Sequence, residues 1–295
     1  MKNQTALVTG ASSGMGLALA REFAQHGHPL VLTAPVAAEL NEVAADIGKS
    51  FGVNVRTITK DLEVPSAADE IFAELAADRV PVEILVNNAG LGQRGRFWET
   101  PLERDIAMLR VNVEAVVRLT KLFLPVMVKR GHGRVLNTAS IAGFEPGPTL
   151  AVYHATKAFV LSFSEAIATE LEDTAVTVTA LCPGPVDTDF FPKAEMIDTQ
   201  AFQRGNVESP FEVARVAYAA LMSGDRVIVP GGANKLTAFS RRILPESTQA
   251  KLNGKMYQPT DPTKRKRERG DVEEKGREKE AKERPAKGKE LKDES

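Results

Sequence analysis

The chain has 295 residues, 43% of them hydrophobic and 26% charged, and a formal net charge of −1. No stretch approaches the roughly 18 apolar residues of a transmembrane helix, and the single cysteine, Cys182, excludes an intrachain disulfide. The charge is unevenly spread: residues 261–295 hold 13 Lys/Arg and 11 Asp/Glu, leaving 25 and 28 for residues 1–260.

From the N-terminus, short β-branched runs alternate with helical patterns. Strands are expected at 6–9, 29–33, 53–59, 82–86, 133–138, 176–181 and 226–229. Helices are expected at 17–24, 39–47 (ended by Gly48), 67–77, 103–128, 153–171 and 211–222. This alternation specifies βαβ units and a parallel sheet covered on both faces. The fold class is therefore α/β, a single doubly wound Rossmann-type domain with a seven-stranded parallel sheet, followed by a disordered tail. Residues 1–245 form the catalytic domain, 246–260 a short extension and 261–295 the tail. Within the extension's approach, Leu236, Phe239, Ile243 and Leu244 with Arg241 and Arg242 make a short amphipathic basic stretch, suited to core packing or a dimer contact. The tail has four apolar residues (Val272, Ala281, Ala286, Leu291) and glycines that break a long helix, so a solvated, disordered segment is expected. The start, Met1 to Thr5, runs into a strand without a secretory apolar core, and the final Lys292-Asp293-Glu294-Ser295 is not an ER-retention signal. A cytoplasmic setting, no metal site, no nucleic-acid partner and no peripheral membrane contact are the corresponding expectations.

In an open parallel sheet, ligands bind beyond the carboxyl ends of the strands. After the first strand stands Thr9-Gly10-Ala11-Ser12-Ser13-Gly14-Met15-Gly16, then a helix. Gly10 permits the tight turn, and Gly14 and Gly16 allow close approach of a ligand. The helix N-terminus offers N–H groups and the positive dipole end to a pyrophosphate. The spacing is G-x-x-x-G-x-G, which alone suits either a ligand-free turn or a dinucleotide cradle.

With this turn the sequence resembles the short-chain dehydrogenase/reductase family. Five further motifs of that family stand in order. They are Asn87-Asn88-Ala89-Gly90, Asn112 within Val111-Asn112-Val113, Ser140, Tyr153-x-x-x-Lys157, and Pro183-Gly184 with Thr188. The resemblance covers roughly residues 3–230. Within the family, Leu181 to Pro185 and Val152 to Phe159 look like the branch of DltE-like bacterial oxidoreductases.

Tyr153 and Lys157 lie i, i+4 on one helix face. The resemblance implies Tyr153 as general acid/base, Ser140 as hydrogen-bond donor to a carbonyl oxygen, and Lys157 as holder of the nicotinamide ribose. A nearby ammonium is expected to lower the phenol's pKa. Asn112 is implied to order a water linking Lys157 to solvent. The implied cofactor-binding set comprises Gly10, Ser12, Ser13, Gly14, Met15, Gly16, Thr33, Asp61, Leu62, Asn88, Ala89 and Gly90. Tyr153, Lys157, Pro183, Gly184, Val186 and Thr188 complete it. Asp61 either accepts from an adenine amine or caps a turn. His154 reads as a packing or rim residue, and Cys182 as a small core residue.

A carboxylate at the end of the second strand would bind the ribose 2′-OH of NAD, and an Arg the 2′-phosphate of NADP. Here Ala34 and Pro35 occupy those positions, which favours NADP(H), with NAD(H) as the alternative. The substrate wall is expected from Phe190, Phe191, Pro192 and Met196 on one side and Ile141, Ala142 and Phe144 on the other, with Ser140 and Tyr153 between. The expected function is carbonyl–alcohol interconversion on an apolar small molecule by a homodimer or homotetramer. The alternative is a non-catalytic dinucleotide-sensing or interaction protein on the same fold.

Overall fold

The computed structural model describes residues 4–203, 206–240 and 244–283. The strands are β1 (Ala6–Thr9), β2 (Leu30–Ala34), β3 (Val55–Thr59), β4 (Ile84–Asn87), β5 (Gly133–Thr138), β6 (Val176–Leu181) and β7 (Val227–Ile228). They form one parallel sheet in the order β3-β2-β1-β4-β5-β6-β7. The order reverses between β1 and β4, so a crevice opens at the carboxyl ends of these two strands.

The helices are α1 (Gly14–Gln25), α2 (Ala37–Phe51), α3 (Ala67–Ala77), α4 (Leu102–Leu109), α5 (Ala115–Arg130) and α6 (Ala151–Glu170). They are followed by α7 (Phe190–Lys193), α8 (Gln200–Gln203), α9 (Pro210–Ser223), α10 (Gly232–Ser240), α11 (Glu246–Met256) and α12 (Asp271–Glu283). One apolar layer joins the sheet to α1 and α9 through Val8, Leu19, Phe23, Leu32, Leu136, Ala214 and Leu221. The other joins it to α3 and α5 through Leu7, Val31, Ile71, Leu85, Leu119, Phe123 and Val135. Central strands buried on both faces explain why β1, β2 and β4 read as unbroken apolar runs rather than alternating ones.

The sheet also carries buried polar groups. Asn87 Nδ2 donates to Asn137 Oδ1 at 2.8 Å across paired strands, and Asn137 Nδ2 donates to Ser164 Oγ of α6 at 2.9 Å. All three residues are at least 97% buried.

The structure departs from the sequence expectation in three places. Gly48 does not end α2, which continues to Phe51. The left-handed residue is Gly52 (φ +73°), whose N–H donates to Gly48 O. The expected single helix 103–128 is two helices joined by a π-helical turn, Arg110–Glu114. The charged tail is not solvated throughout. Asp261 caps a short 3₁₀ turn, Pro262–Lys264, and α12 lies along α9, with Lys279 Nζ donating to Glu212 Oε1 at 2.8 Å. Side-chain ion pairs and capped backbone, rather than apolar burial, seat it. Residues 284–295 lie outside the described residues. Of the amphipathic stretch, Leu236 is 70% exposed, whereas the side chain of Phe239 and residues Arg241, Arg242 and Ile243 lie outside the described set.

Candidate active site

A cleft of about 430 Å³ opens over the carboxyl ends of β1 and β4, within the range of small-molecule and cofactor sites. Its floor is the glycine turn. Gly10 has φ +65° and Gly14 φ +55°, a region that side chains with Cβ avoid. A Cβ on Gly16 would stand 2.0 Å from Gly10 O, so this position has no room for one. Ser12, Ser13, Gly14, Met15 and Gly16 all line the cleft. The first-turn N–H groups of α1 have no intrahelical acceptor and offer donors there.

Thr9 ties this turn to the next. Its Oγ1 accepts from Asn88 N at 2.9 Å and Ala89 N at 3.0 Å, and Asn88 Nδ2 donates back to Thr9 O at 3.0 Å. Asn88, Ala89 and Gly90 thereby form one wall. Along the β2 side, Thr33, Ala34 and Pro35 reach the cleft, joined by Glu39 and Lys60, whose ammonium pairs with Glu70. Asp61 and Leu62 line the same end. One oxygen of Asp61 accepts from Glu63 N at 2.9 Å, so Asp61 caps its turn while facing the cleft.

The opposite wall carries Ser140, Tyr153 and Lys157. Ser140 ends the β5 connection as the cap of a 3₁₀ turn, Ile141–Phe144, its Oγ accepting from Ala142 N at 3.1 Å. Gly143 lets that turn rest against α6, since a Cβ there would meet Lys157 O at 2.7 Å. The Ser140 hydroxyl neighbours the Tyr153 phenol and donates to Pro183 O at 3.4 Å. Lys157 Nζ donates to Thr138 O at 2.7 Å and stands 5.8 Å from the Tyr153 ring centroid.

Burial dominates the electrostatics of this pair. The Tyr153 phenol is pushed up to about 12 by desolvation, against the expectation of a lowered value, with the neighbouring Ser140 hydroxyl as the opposing influence. Lys157 is pulled down to about 8 by the same desolvation. In this buried setting the cost of charging sets both values. Cys182 is fully buried at the end of β6, its thiol raised to about 12.

Asn112 stands in the π-helical turn with its side chain fully engaged. Oδ1 accepts from Leu91 N at 2.8 Å, and Nδ2 donates to Leu91 O at 3.0 Å and Thr156 Oγ1 at 3.0 Å. Its amide therefore joins the β4 loop to α6. The segment after β6 contributes Pro183, Gly184, Val186, Thr188, Phe190, Phe191 and Met196 to the cleft. The Phe190 ring lies 5.2 Å from that of Tyr153. Ala142 and Ile141 line the cleft, but Phe144 and Pro192 do not. Phe144 turns into the cluster of Ala139, Val160 and Leu161, because the 3₁₀ turn rotates it away.

His154 is buried beside the site. Its Nδ1 donates to Glu145 O at 2.7 Å, which leaves Nε2 to accept from Tyr257 Oη at 2.9 Å. Burial lowers the pKa of His154 and raises that of Tyr257, so both are neutral. Tyr257, at the end of α11, lines the cleft although no sequence signal marks it. Lys193 and Asp189 also line the cleft and escaped the sequence reading.

A family model described as short chain dehydrogenase matches residues 4–198. The chain belongs to the short-chain dehydrogenase family. An uncharacterized oxidoreductase of Staphylococcus epidermidis is 34% identical over 188 residues, covering 64% of this chain and 80% of that protein. A short-chain dehydrogenase from Sphingobium yanoikuyae, solved in complex with NADPH, superposes with a TM-score of 0.74 at 30% identity, over 88% of this chain and 99% of that one. A short chain dehydrogenase/reductase from Burkholderia phymatum, solved in complex with NAD, gives a TM-score of 0.74 at 25% identity, over 88% and 98% of the two chains. The family and its oxidoreductase chemistry are thus shown. Among the described residues, no helix is long and apolar enough to cross a membrane.

Proposed function

We propose that this chain uses a nicotinamide dinucleotide, NADP(H) in preference to NAD(H), to interconvert a carbonyl and an alcohol on an apolar small molecule. The observation that carries the reading is the convergence of Ser140, Tyr153 and Lys157 on one wall of a cleft whose floor is the glycine turn.

The residues fit the cofactor. The cradle is sterically closed to side chains at Gly16, so backbone alone meets a ligand there. Thr33 Oγ1 is buried at the cleft with no hydrogen-bond partner, a group that a ribose or phosphate oxygen would satisfy. Ser12, Ser13 and the α1 amides would hold the pyrophosphate. Asp61 and Leu62 would flank the adenine. Asn88, Ala89 and Gly90 would lie against the ribose. Pro183, Gly184, Val186 and Thr188 would enclose the nicotinamide. When bound, the dinucleotide supplies or accepts the hydride.

In the reducing direction the Ser140 hydroxyl donates to the substrate oxygen, and Tyr153 Oη delivers the proton. A phenol held near 12 stays protonated at neutral pH and serves as the acid. The Lys157 ammonium, and positive charge on the bound oxidised ring, would bring that value down for the reverse direction. Phe190, Phe191 and Met196 exclude water from this point and favour an apolar substrate.

Support for NADP(H) is the absence of a carboxylate at Ala34, which ends β2, and at Pro35, which follows it. Support for the homodimer or homotetramer is the exposure of the apolar side chains Leu102, Ile106 and Leu109 on α4 and of Val126 and Val128 on α5. The test is an NADPH- and NADH-linked screen of carbonyl compounds with Tyr153→Phe as control. A fall in turnover of about 100-fold or more with dinucleotide binding intact is expected. Turnover largely retained in Tyr153→Phe would overturn the assignment.

A further inference from the structure

The segment after β6 encloses the nicotinamide end of the cleft in the reading above, and the C-terminal arm grips it from outside. The Asp187 side chain has no solvent exposure. Its Oδ1 accepts from Gly270 N at 3.1 Å, and its Oδ2 accepts from Val272 N at 2.8 Å and Glu273 N at 3.1 Å. One carboxylate thus satisfies the first amides of α12 and meets the positive end of that helix. Arg269 completes the joint. Its guanidinium lies 3.4 Å from Asp187 Oδ1, 2.9 Å from Asp189 Oδ1 and 2.6 Å from Glu273 Oε2.

Asp187 and Asp189 flank Thr188. A Cβ on Gly14 would come within 3.0 Å of Thr188 Cβ, so Thr188 lies against the glycine turn. The arm is seated along its length. Gln203 Oε1 accepts from Lys266 N at 2.8 Å, and Arg267 donates to Phe202 O at 2.7 Å. A Cβ on Gly276 would fall 1.8 Å from Ser209 Oγ, so α12 touches the start of α9 directly. Glu280 accepts from Arg21 of α1 at 3.2 Å, which joins the arm to the helix that opens at the cradle.

We propose that residues 264–283 form a strap that holds the Pro183–Phe190 segment in its dinucleotide-receiving position, with Asp187 and Arg269 as positioning residues. This rests on the dinucleotide reading above. The solvated-tail expectation predicts no effect of this arm on binding. The strap predicts that its loss weakens dinucleotide binding, because the segment must then be ordered at the moment of binding.

The test uses the full chain. Arg269→Ala removes the ionic joint, Arg269→Lys restores part of it, and Gly276→Leu lifts α12 from α9. NADPH affinity is measured by fluorescence titration, and amide exchange at residues 186–190 is measured without ligand. Arg269→Ala and Gly276→Leu are expected to raise the NADPH Kd about 5- to 10-fold, with kcat at saturation changed less than about twofold and exchange at 186–190 accelerated. Arg269→Lys is expected to fall between Arg269→Ala and the parent. Unchanged Kd and unchanged exchange in both disruptive variants would overturn the strap, whatever happens to Tm. If the parent chain binds no dinucleotide, the cofactor reading fails instead, and the exchange measurement still decides whether the arm orders the segment.

Discussion

Lys157 Nζ and the Tyr153 ring stand 5.8 Å apart on one face of α6, and the ammonium is anchored to Thr138 O rather than to the phenol. The lysine's charge therefore sits buried against a backbone carbonyl and not against the phenol. Folded Lys157 titrates near 8, below its ordinary 10.5. Between those values the unfolded chain binds more protons than the folded one, so stability rises with pH across that window. Below about 8 the charging cost is constant and fully present, of order 3 kcal/mol. Lys157→Met is expected to raise Tm at pH 7 by several degrees, an advantage that fades above about pH 10, and to abolish turnover. In the parent, kcat/KM for reduction is expected to fall as pH rises through about 8. Thermal denaturation and a pH–rate profile check both.

In the proposed reading, Ala34 at the end of β2 decides the cofactor choice. Ala34→Asp places a carboxylate where it would accept from a ribose 2′-OH and repel a 2′-phosphate. The ratio of NADPH to NADH affinity is expected to shift toward NADH by about tenfold or more. Paired fluorescence titrations measure it. An unchanged ratio would place the 2′ position elsewhere, beside Glu39 or Lys60.

Gly16→Ala probes the cradle. Its Cβ would lie 2.0 Å from Gly10 O and 2.7 Å from Asn88 Nδ2. The backbone must move to admit it, and an overpacking cost of about 1–3 kcal/mol is expected with dinucleotide affinity reduced at least tenfold. Calorimetry separates the two effects.

Phe190→Ala would empty space beside the Tyr153 ring. A Cβ on Gly92 would stand 2.5 Å from Phe190 Cζ, so this ring fills the gap between the β4 loop and the cleft. The variant is expected to accept bulkier ketones, with KM for small ones raised. A substrate series of increasing width reads this out.

Most of the candidate site was legible because it sits at strand ends. The spans 6–9, 67–77, 133–138 and 176–181 coincide with β1, α3, β5 and β6, and Ser140, Tyr153 and Lys157 meet as their order in the chain implies. What was hidden depends on contacts distant in sequence. Tyr257 is an unremarked aromatic until His154, 103 residues earlier, receives its hydroxyl. The arm's composition spoke for solvation because apolar content is what a sequence reading weighs. Its docking instead uses capped amides and one arginine among three carboxylates. Gly48 misled because a glycine inside a helix and one ending it look alike without φ. The phenol's raised pKa was invisible because burial is a property of the fold.

The Asn87–Asn137–Ser164 chain has a mechanical consequence. Ser164 lies two turns beyond Lys157 on α6 and does not line the cleft. Sliding α6 by one turn, about 5.4 Å, would leave the buried Asn137 Nδ2 without its Ser164 acceptor. The height at which Tyr153 and Lys157 stand above the sheet is thus set from beneath, by groups that never meet a ligand. Asn137→Leu should let that height drift while leaving every residue of the cleft in place by name.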